Sequence, residues 1–166
     1  LPELDWVAVA GGQIVGNIMY TRAQIRLDGG QTLPVLSFGP LSVLPAFQKQ
    51  GVGGALIRHT VQLAQEAGHS AILIYGDPAY YSRHGFVPAE RYGIAGADRM
   101  YRDALQALPL QSGALDNADG LFLEDDAYHV DAGASEAFDL AFPFRDKVAG
   151  TPSQQRFMEV LTLCKP

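Results

Sequence analysis

Residues 43–56, VLPAFQKQGVGGAL, join an extended apolar run to a helical pattern, and three glycines lie where that helix begins. Glycine costs about 1 kcal/mol per interior helical position relative to alanine, so Gly51, Gly53 and Gly54 indicate a special demand on the backbone. The first N–H groups of a helix have no intrahelical partner and carry partial positive charge, and glycine lets a phosphate come close to them. The stretch therefore predicts either a phosphate cradle or a close packing of the helix against a strand.

The stretch does not match two common phosphate-binding loops. A dinucleotide-binding fingerprint requires a third glycine three residues after Gly53, where this chain has Leu56. A P-loop requires Gly-Lys-Ser/Thr, but Ala55 follows Gly53 and Gly54. Neither loop is predicted.

The residues before the glycines have the patterns of three β-strands. Strands are predicted over 6–10 and 13–20, joined by the two-residue turn Gly11-Gly12. A third strand is predicted over 33–44, and Gly39-Pro40 interrupts it, which marks a bulge or a sheet edge. The first two strands are expected to pair as a tight hairpin.

After the glycines, helical and extended patterns alternate. Apolar residues at steps of three and four predict a helix over 52–67 that ends at Gly68. The apolar run AILIYG predicts a buried strand, and Asp77 and Gly85 bound a helix of about two turns. Weaker patterns predict strands at 104–110 and 120–125 and a helix over 151–163. The whole is predicted to be one α/β domain.

Composition and charge limit the partners of this chain. The 166 residues are 48% hydrophobic and 18% charged, as in ordinary globular proteins, and no apolar run reaches the roughly 20 residues of a membrane span. A net charge of −6 without a local Lys/Arg cluster argues against nucleic acid. Cys164 is the single cysteine, which suits a reducing compartment, so we expect a cytoplasmic protein. No spacing of His, Cys, Asp and Glu predicts a metal site.

Two motifs, taken together, resemble a known family. Gln48-x-x-Gly51-x-Gly53 is similar to the acyl-CoA signature of the GCN5-related N-acetyltransferases (GNAT), and Tyr81 with Gly85-Phe86 is similar to a later element of that family. The resemblance covers roughly residues 6–110. It implies a mixed, mostly antiparallel sheet that is splayed at a bulged strand and flanked by helices. It also implies that the family's first strand and helices are missing before residue 6.

The resemblance implies one domain in two parts and a set of residues that bind acetyl-CoA. Residues 1–112 would form the GNAT core, and 113–166 a strand and helix extension packed on the same domain. The pyrophosphate would meet the backbone of the loop and helix start, namely Gln48, Lys49, Gln50, Gly51, Val52, Gly53 and Gly54. The side chain of Gln48 would add a hydrogen bond, whereas Lys49 and Arg83 would either contact phosphates or be solvated. The break at Gly39-Pro40 would free the backbone amides of Leu41 and Val43 for the pantetheine arm.

The resemblance also implies the catalytic groups. The N–H of Val43 would stabilise the developing oxyanion, and Tyr81, a phenol that is protonated at neutral pH, would protonate the departing thiolate. The alternative for Tyr81 is a half-buried packing residue. No carboxylate lies between residues 33 and 44, where many relatives carry a glutamate, so the general base stays unassigned.

Other residues with functional side chains are given structural roles. Tyr80 and His59 are predicted to lie in the core, and His84 is favoured as a structural residue over a site residue. The acidic run EDD (124–126) is predicted to be a solvated loop, with contact to the acceptor amine as the alternative.

The sequence therefore predicts an acetyl-CoA-dependent N-acetyltransferase that acts on a primary amine by direct attack, without a covalent enzyme intermediate. The alternatives are a non-catalytic acyl-CoA-binding sensor or assembly protein, and a transferase with a longer acyl donor. The acceptor is either a small-molecule amine or a protein amine. The resemblance further implies a homodimer.

Overall fold

In the computed structural model, which describes residues 1–144 and 146–166, ten strands and four α-helices follow one another along the chain. The strands are β1 (Trp6–Ala10), β2 (Gln13–Leu27), β3 (Thr32–Val43), β4 (Ala71–Tyr75), β5 (Val87–Pro88), β6 (Ile94–Ala95), β7 (Tyr101–Arg102), β8 (Leu105–Pro109), β9 (Gly120–Leu123) and β10 (Cys164–Lys165). The helices are α1 (Val52–Glu66), α2 (Pro78–Tyr81), α3 (Ala132–Asp139) and α4 (Pro152–Thr162).

One large sheet organises the fold. Its strand order is β5-β8-β4-β3-β2-β9-β6, with β1 paired to β2, and the remaining strands β7 and β10 pair with each other. The pairs β3–β4 and β6–β9 are parallel, and the other pairs of the sheet are antiparallel. The predicted class, a mixed and mostly antiparallel sheet with flanking helices, is confirmed.

The opening hairpin is confirmed, but its second strand is longer than predicted. Ala10 pairs with Gln13 across a two-residue turn in which both glycines have positive φ, as a tight hairpin requires. The second strand was predicted over 13–20 and continues to Leu27. The alternation of buried Ala23 and Ile25 with exposed neighbours is the period-two signal of that added length.

Helix α1 lies where it was predicted and packs one side on the sheet. Gly68 follows the last turn at φ +81°, the left-handed conformation that ends many helices. The side chains buried beneath the helix are Leu56, Ile57, Thr60 and Ala64. The prediction that His59 lies in the core is wrong, because this side chain is exposed and its ring packs edge-on against Trp6 at 4.3 Å between centroids.

Buried side chains cover both faces of the sheet. On the face under α1, hereafter the α1 face, they include Ile18, Tyr20, Leu36, Phe38, Leu56, Ile57, Ile72, Ile74 and Phe86. On the other side, hereafter the opposite face, they include Ala23, Ile25, Val35, Leu73, Leu105, Leu115 and Phe122. Successive residues of β3 alternate between these clusters, as a pleated strand requires.

The C-terminal segment is attached to the sheet through α4. The helix predicted over 151–163 is confirmed, and Thr151 forms a capping box with Gln154 at its start. Val160 is fully buried, and β10 then pairs with β7. Helix α3, which was not predicted, has no buried residue. Within the described ranges, no helix combines the length and the apolar character needed to cross a bilayer.

Candidate active site

The sheet opens between β3 and β4. These two strands pair through Leu36 and Ile72, and beyond that point they separate. The register between β2 and β3 shifts after Ile18–Leu41, so that Gly39 and Pro40 both face the single residue Met19. This bulge is the predicted interruption of the strand, and it bends the end of β3 away from β4.

The end of β3 directs backbone groups into this opening. Leu44 donates its N–H to the carbonyl of Val15 in β2 at 2.8 Å. Because main-chain groups alternate along a strand, the N–H groups of Leu41 and Val43 point away from β2 and toward the gap. The carbonyl of Val43, on the same side, accepts a hydrogen bond from Nε2 of Gln48 at 3.0 Å. The amides that the sequence singled out are therefore oriented into the cleft.

The loop before α1 has the backbone conformation of an anion site. Gly51 occupies the N-cap position at φ +86°, and Lys49 has φ +60°, which is uncommon for a residue with a side chain. No side chain caps the helix. Its first intrahelical hydrogen bond runs from the N–H of Ala55 to the carbonyl of Gly51 at 2.9 Å. The N–H groups of residues 52–54 have no partner within the helix and remain available to a ligand.

The two helical glycines lie against the segment that carries the tyrosines. A Cβ on Gly53 would lie 2.8 Å from Oη of Tyr80, and a Cβ on Gly54 would lie 3.0 Å from Cε1 of His84. The strand side chain nearest to the Gly53 position, Val43, would be 3.8 Å away. The tightest contacts of these two glycines are therefore with residues 80 and 84, in α2 and just after it. Their contacts with the strands are looser.

Tyr81 is held in an aromatic cluster beside the gap. Its ring centroid lies 5.9 Å from that of Phe38 and 5.6 Å from that of Phe86. A Cβ on Gly76 would lie only 2.2 Å from Cε2 of Tyr81, so the absence of a side chain at position 76 creates the space for this ring. Burial, with a smaller contribution from the neighbouring Tyr80, raises the pKa of the Tyr81 phenol above its ordinary value. The phenol therefore keeps its proton at neutral pH.

These elements enclose one cleft of about 580 Å³. Its lining includes the predicted residues Leu41, Val43, Gln48, Lys49, Gly51, Val52, Gly53, Gly54, Tyr81 and Arg83. Gln50 belongs to the loop but does not line the cleft, because its side chain donates to the carbonyl of Ala46 at 2.8 Å. Gln48 likewise uses its side-chain amide within the protein, on Val43, where the sequence predicted a contact to the cofactor.

Comparison with known proteins identifies the family. The family described as "Acetyltransferase (GNAT) domain" matches residues 4–88, which is 85 of the 166 residues. The chain belongs to the GNAT family. It is 38% identical over 88 residues to the uncharacterized N-acetyltransferase YjhQ of Escherichia coli, covering 52% of this chain and 48% of YjhQ. The chain thus spans about half the length of this relative.

Two solved GNAT structures share the fold and were obtained with a cofactor. YhbS from Escherichia coli, in complex with CoA, is 26% identical with a TM-score of 0.66, covering 75% of this chain and 68% of that one. A GNAT acetyltransferase from Brucella melitensis, in complex with acetyl-CoA, is 30% identical with a TM-score of 0.56, covering 74% and 66%.

The GNAT cleft of this chain also contains residues that the sequence analysis missed. The prediction that Tyr80 lies in the core is wrong, because Tyr80 is half-buried and lines the cleft with Tyr81. Arg58 lines the cleft one helical turn after Gly54, a spacing of four that could have revealed it. Ser153 of α4 lies 100 residues after Gly53, and no local pattern connects the two.

Positive charge collects at one part of the cleft. Lys49, Arg58 and Arg83 all line it, and His84 lies among them. Burial, followed by the charges of Arg58 and Arg83, lowers the pKa of His84, so this imidazole is neutral at physiological pH. The three permanent cations suit the phosphates of a nucleotide. Within residues 1–144 and 146–166, no group of His, Cys, Asp and Glu is arranged to hold a metal ion.

The acidic run after β9 is mainly solvated, as predicted. Glu124 and Asp126 are exposed, and Asp125 accepts a hydrogen bond from the N–H of Ala127 at 2.8 Å. Partial burial nevertheless raises the pKa of the Glu124 carboxyl, and the charge of His129 opposes this shift.

Proposed function

We propose that this chain transfers an acetyl group from acetyl-CoA to a primary amine by direct attack on the thioester. The observation that carries the proposal is the convergence on one cleft of inward-facing amides, an uncapped glycine-rich helix start and a protonated tyrosine. The solved GNAT relatives that contain CoA or acetyl-CoA support the choice of cofactor.

The residues of the cleft fit the parts of acetyl-CoA. The unpaired N–H groups of residues 52–54 would bind the pyrophosphate, and a Cβ on Gly53 would fill space beside Tyr80 that a ligand requires. Lys49, Arg58 and Arg83 would neutralise the phosphates. The pantetheine arm would run along the end of β3 as an added strand, paired with the amides of Leu41 and Val43.

The same residues would supply the chemistry of acetyl transfer. The amine nitrogen forms a bond to the carbonyl carbon, the C–S bond breaks, and the N–H of Val43 or Leu41 stabilises the negative oxygen that develops. Tyr81 gives its proton to the leaving thiolate, and the proton that the attacking nitrogen loses as the amide forms restores the phenol, directly or through water. Cys164 lies in β10 rather than in the cleft, so attack by the amine is direct.

A second candidate function, an acyl-CoA-binding sensor or assembly protein, is favoured by one observation. The part of β3 beside the gap carries Ser37 and no carboxylate, and a serine is not a base by itself. In this case the cleft would bind the cofactor without turning it over.

Organisation and context follow as further proposals. We infer that residues 1–112 form the transferase core and 113–166 an extension of the same domain, because Val160 is buried and Arg156 of α4 pairs with Asp77 at 3.6 Å. The acceptor is a small-molecule or protein amine. A cytoplasmic location and a homodimer remain predictions from the sequence.

Release of free thiol from acetyl-CoA distinguishes the proposed N-acetyltransferase from a sensor that only binds acyl-CoA. The purified chain would be incubated with acetyl-CoA and a panel of primary amines, with mass spectrometry of the products. We expect thiol release that depends on the amine, together with one acetylated amine product. Binding of acetyl-CoA without turnover of any amine would contradict the enzyme and favour the sensor. Absence of binding would contradict both.

A further inference from the structure

The acceptor amine of the proposed reaction has to reach the thioester from the side that the cofactor does not occupy. The start of α1, Gly53, Tyr80 and Tyr81 lie on the α1 face of the sheet. An amine attacks a carbonyl carbon from above or below the plane of the thioester. With the cofactor bound from the α1 face, the free approach is from the opposite face, through the gap between β3 and β4.

Two tyrosines lie on the opposite face of the sheet, one on each side of this gap. The parallel register Leu36–Ile72 places Tyr75 of β4 level with Gly39 of β3. Tyr75 packs with the opposite-face cluster. On the other side, Tyr128 donates a hydrogen bond to the carbonyl of Gly39 at 3.4 Å.

Glu124 lies near Tyr75 on this face of the sheet. It follows β9, and because side chains alternate along a strand it lies on the same face as Phe122. The ring of Phe122 contacts that of Tyr75 at 5.9 Å between centroids. Burial is the main cause of the raised pKa of Tyr75; the negative charge of Glu124 raises it further, and Arg102 lowers it.

The carboxylate of Glu124 has no permanent cation as a partner. In the part of the chain that the structure describes, no lysine or arginine forms a salt bridge with it. His129, which lies nearby, is itself paired with Asp126 at 3.7 Å. A carboxylate without a cationic partner, on the same face of the sheet as two tyrosines, can bind an organic ammonium ion through charge and cation–π attraction.

Resting on the proposed function, we infer that Glu124, flanked by Tyr75 and Tyr128, binds the ammonium group of the acceptor and accepts its proton. The N–H bond of the ammonium breaks and its proton passes to the carboxylate, directly or through a water molecule. The freed electron pair of nitrogen then forms the new bond to the carbonyl carbon, and the proton is released to solvent after the product leaves. The substrate class is a protonated primary amine with an apolar body, since both flanking side chains are aromatic.

Amine binding to an inert cofactor complex tests this assignment independently of catalysis. The full chain would be saturated with desulfo-CoA and titrated with phenethylamine by NMR, and compared with Glu124→Gln and Asp126→Asn. Asp126→Asn is the matched control, because it removes the same charge two residues away from an exposed side chain. We expect binding to the wild type and to Asp126→Asn, and at least a tenfold weaker affinity in Glu124→Gln, about the loss of one charged hydrogen bond.

A second measurement separates this role from a general loss of structure. Hydroxylamine is uncharged at neutral pH, so its acetylation needs no carboxylate to bind or deprotonate it. Glu124→Gln is expected to lose about 100-fold in kcat/KM with phenethylamine but to keep its rate with hydroxylamine and its affinity for acetyl-CoA. Failure of phenethylamine to bind the wild type, equal binding to Glu124→Gln, or equal losses with both nucleophiles would overturn the inference. Amine binding without any turnover would contradict the proposed function and leave the amine site standing.

Discussion

Among single residues, the proposed proton donor Tyr81 depends on Gly76, the glycine that makes room for its ring. Tyr81 packs against Phe38 and Phe86, and a Cβ on Gly76 would lie 2.2 Å from its ring. The resemblance to the GNAT family implied a role for Tyr81, but the role of Gly76 depends on how the chain turns after β4. Gly76 and the Tyr81 ring meet only in the folded chain, so no pattern in the sequence predicts this contact.

Tyr81→Phe tests the proton donor. We expect kcat to fall about 100-fold or more, because the leaving thiolate loses its acid, while the affinity for acetyl-CoA stays the same. Steady-state kinetics and calorimetry measure the two effects. Tyr92→Phe, away from the cleft, is the control and should behave as the wild type. A parallel loss of affinity and kcat would show that Tyr81 binds the cofactor and does not donate the proton.

Gly76→Ala tests the positioning of that phenol. The added methyl group has to displace the ring of Tyr81, so we expect kcat to approach that of Tyr81→Phe. The double variant should lose little more than either single variant, because both changes remove the same function. Gly29→Ala, whose methyl group meets no atom within 4 Å, is the matched control. Independent, additive losses would argue against the positioning role.

At the scale of elements, strong local patterns were sufficient for the framework around the site. The glycine turn of the first hairpin, the break in β3 and the start of α1 were predicted within a few residues. The extension of β2 was missed although its residues alternate, and β6, β7 and β10 are too short, at two residues each, to carry a pattern. Tyr80 and Ser153 reach the cleft through tertiary packing, which the local sequence does not encode, whereas the helical spacing from Gly54 could have indicated Arg58.

Helix α4 is predicted to support the cofactor site through one ion pair that connects it to the start of α2. Arg156 contacts Asp77, which caps α2, and Ser153 lines the cleft. In Arg156→Ala we expect faster hydrogen exchange in α4 and weaker acetyl-CoA binding, by up to about 1 kcal/mol for a partly exposed pair. Glu159→Gln removes the other partner of Arg156, at 3.5 Å, and should leave both properties unchanged. Equal effects in the two variants would assign the change to the helix itself.

At the scale of the whole molecule, buried tyrosines make stability sensitive to alkali. Burial raises the pKa of Tyr20 to about 12 and that of Tyr75 to about 12, from an ordinary value of 10.0. Their contribution is fully present below pH 10 and is lost as the pH rises toward 12, because the unfolded chain gives up these protons first. We expect the free energy of unfolding to fall by about 1.4 kcal/mol per pH unit for each tyrosine in that range.

Urea unfolding at a series of pH values above 9 measures this dependence. Tyr20→Phe should reduce the slope, and it leaves Thr60 hydrogen-bonded to the carbonyl of Leu56 at 2.8 Å. A slope that Tyr20→Phe does not change would contradict the assignment.

The central claim is that the glycine-rich start of α1 and the open end of β3 form an acetyl-CoA site. Isothermal titration of the chain with acetyl-CoA and with desulfo-CoA tests it most directly, beside Gly53→Trp and the control Gly29→Trp at an exposed turn. The account predicts that both ligands bind the wild type and Gly29→Trp, and that Gly53→Trp binds neither. Binding that survives Gly53→Trp, or no binding by the wild type, would contradict it.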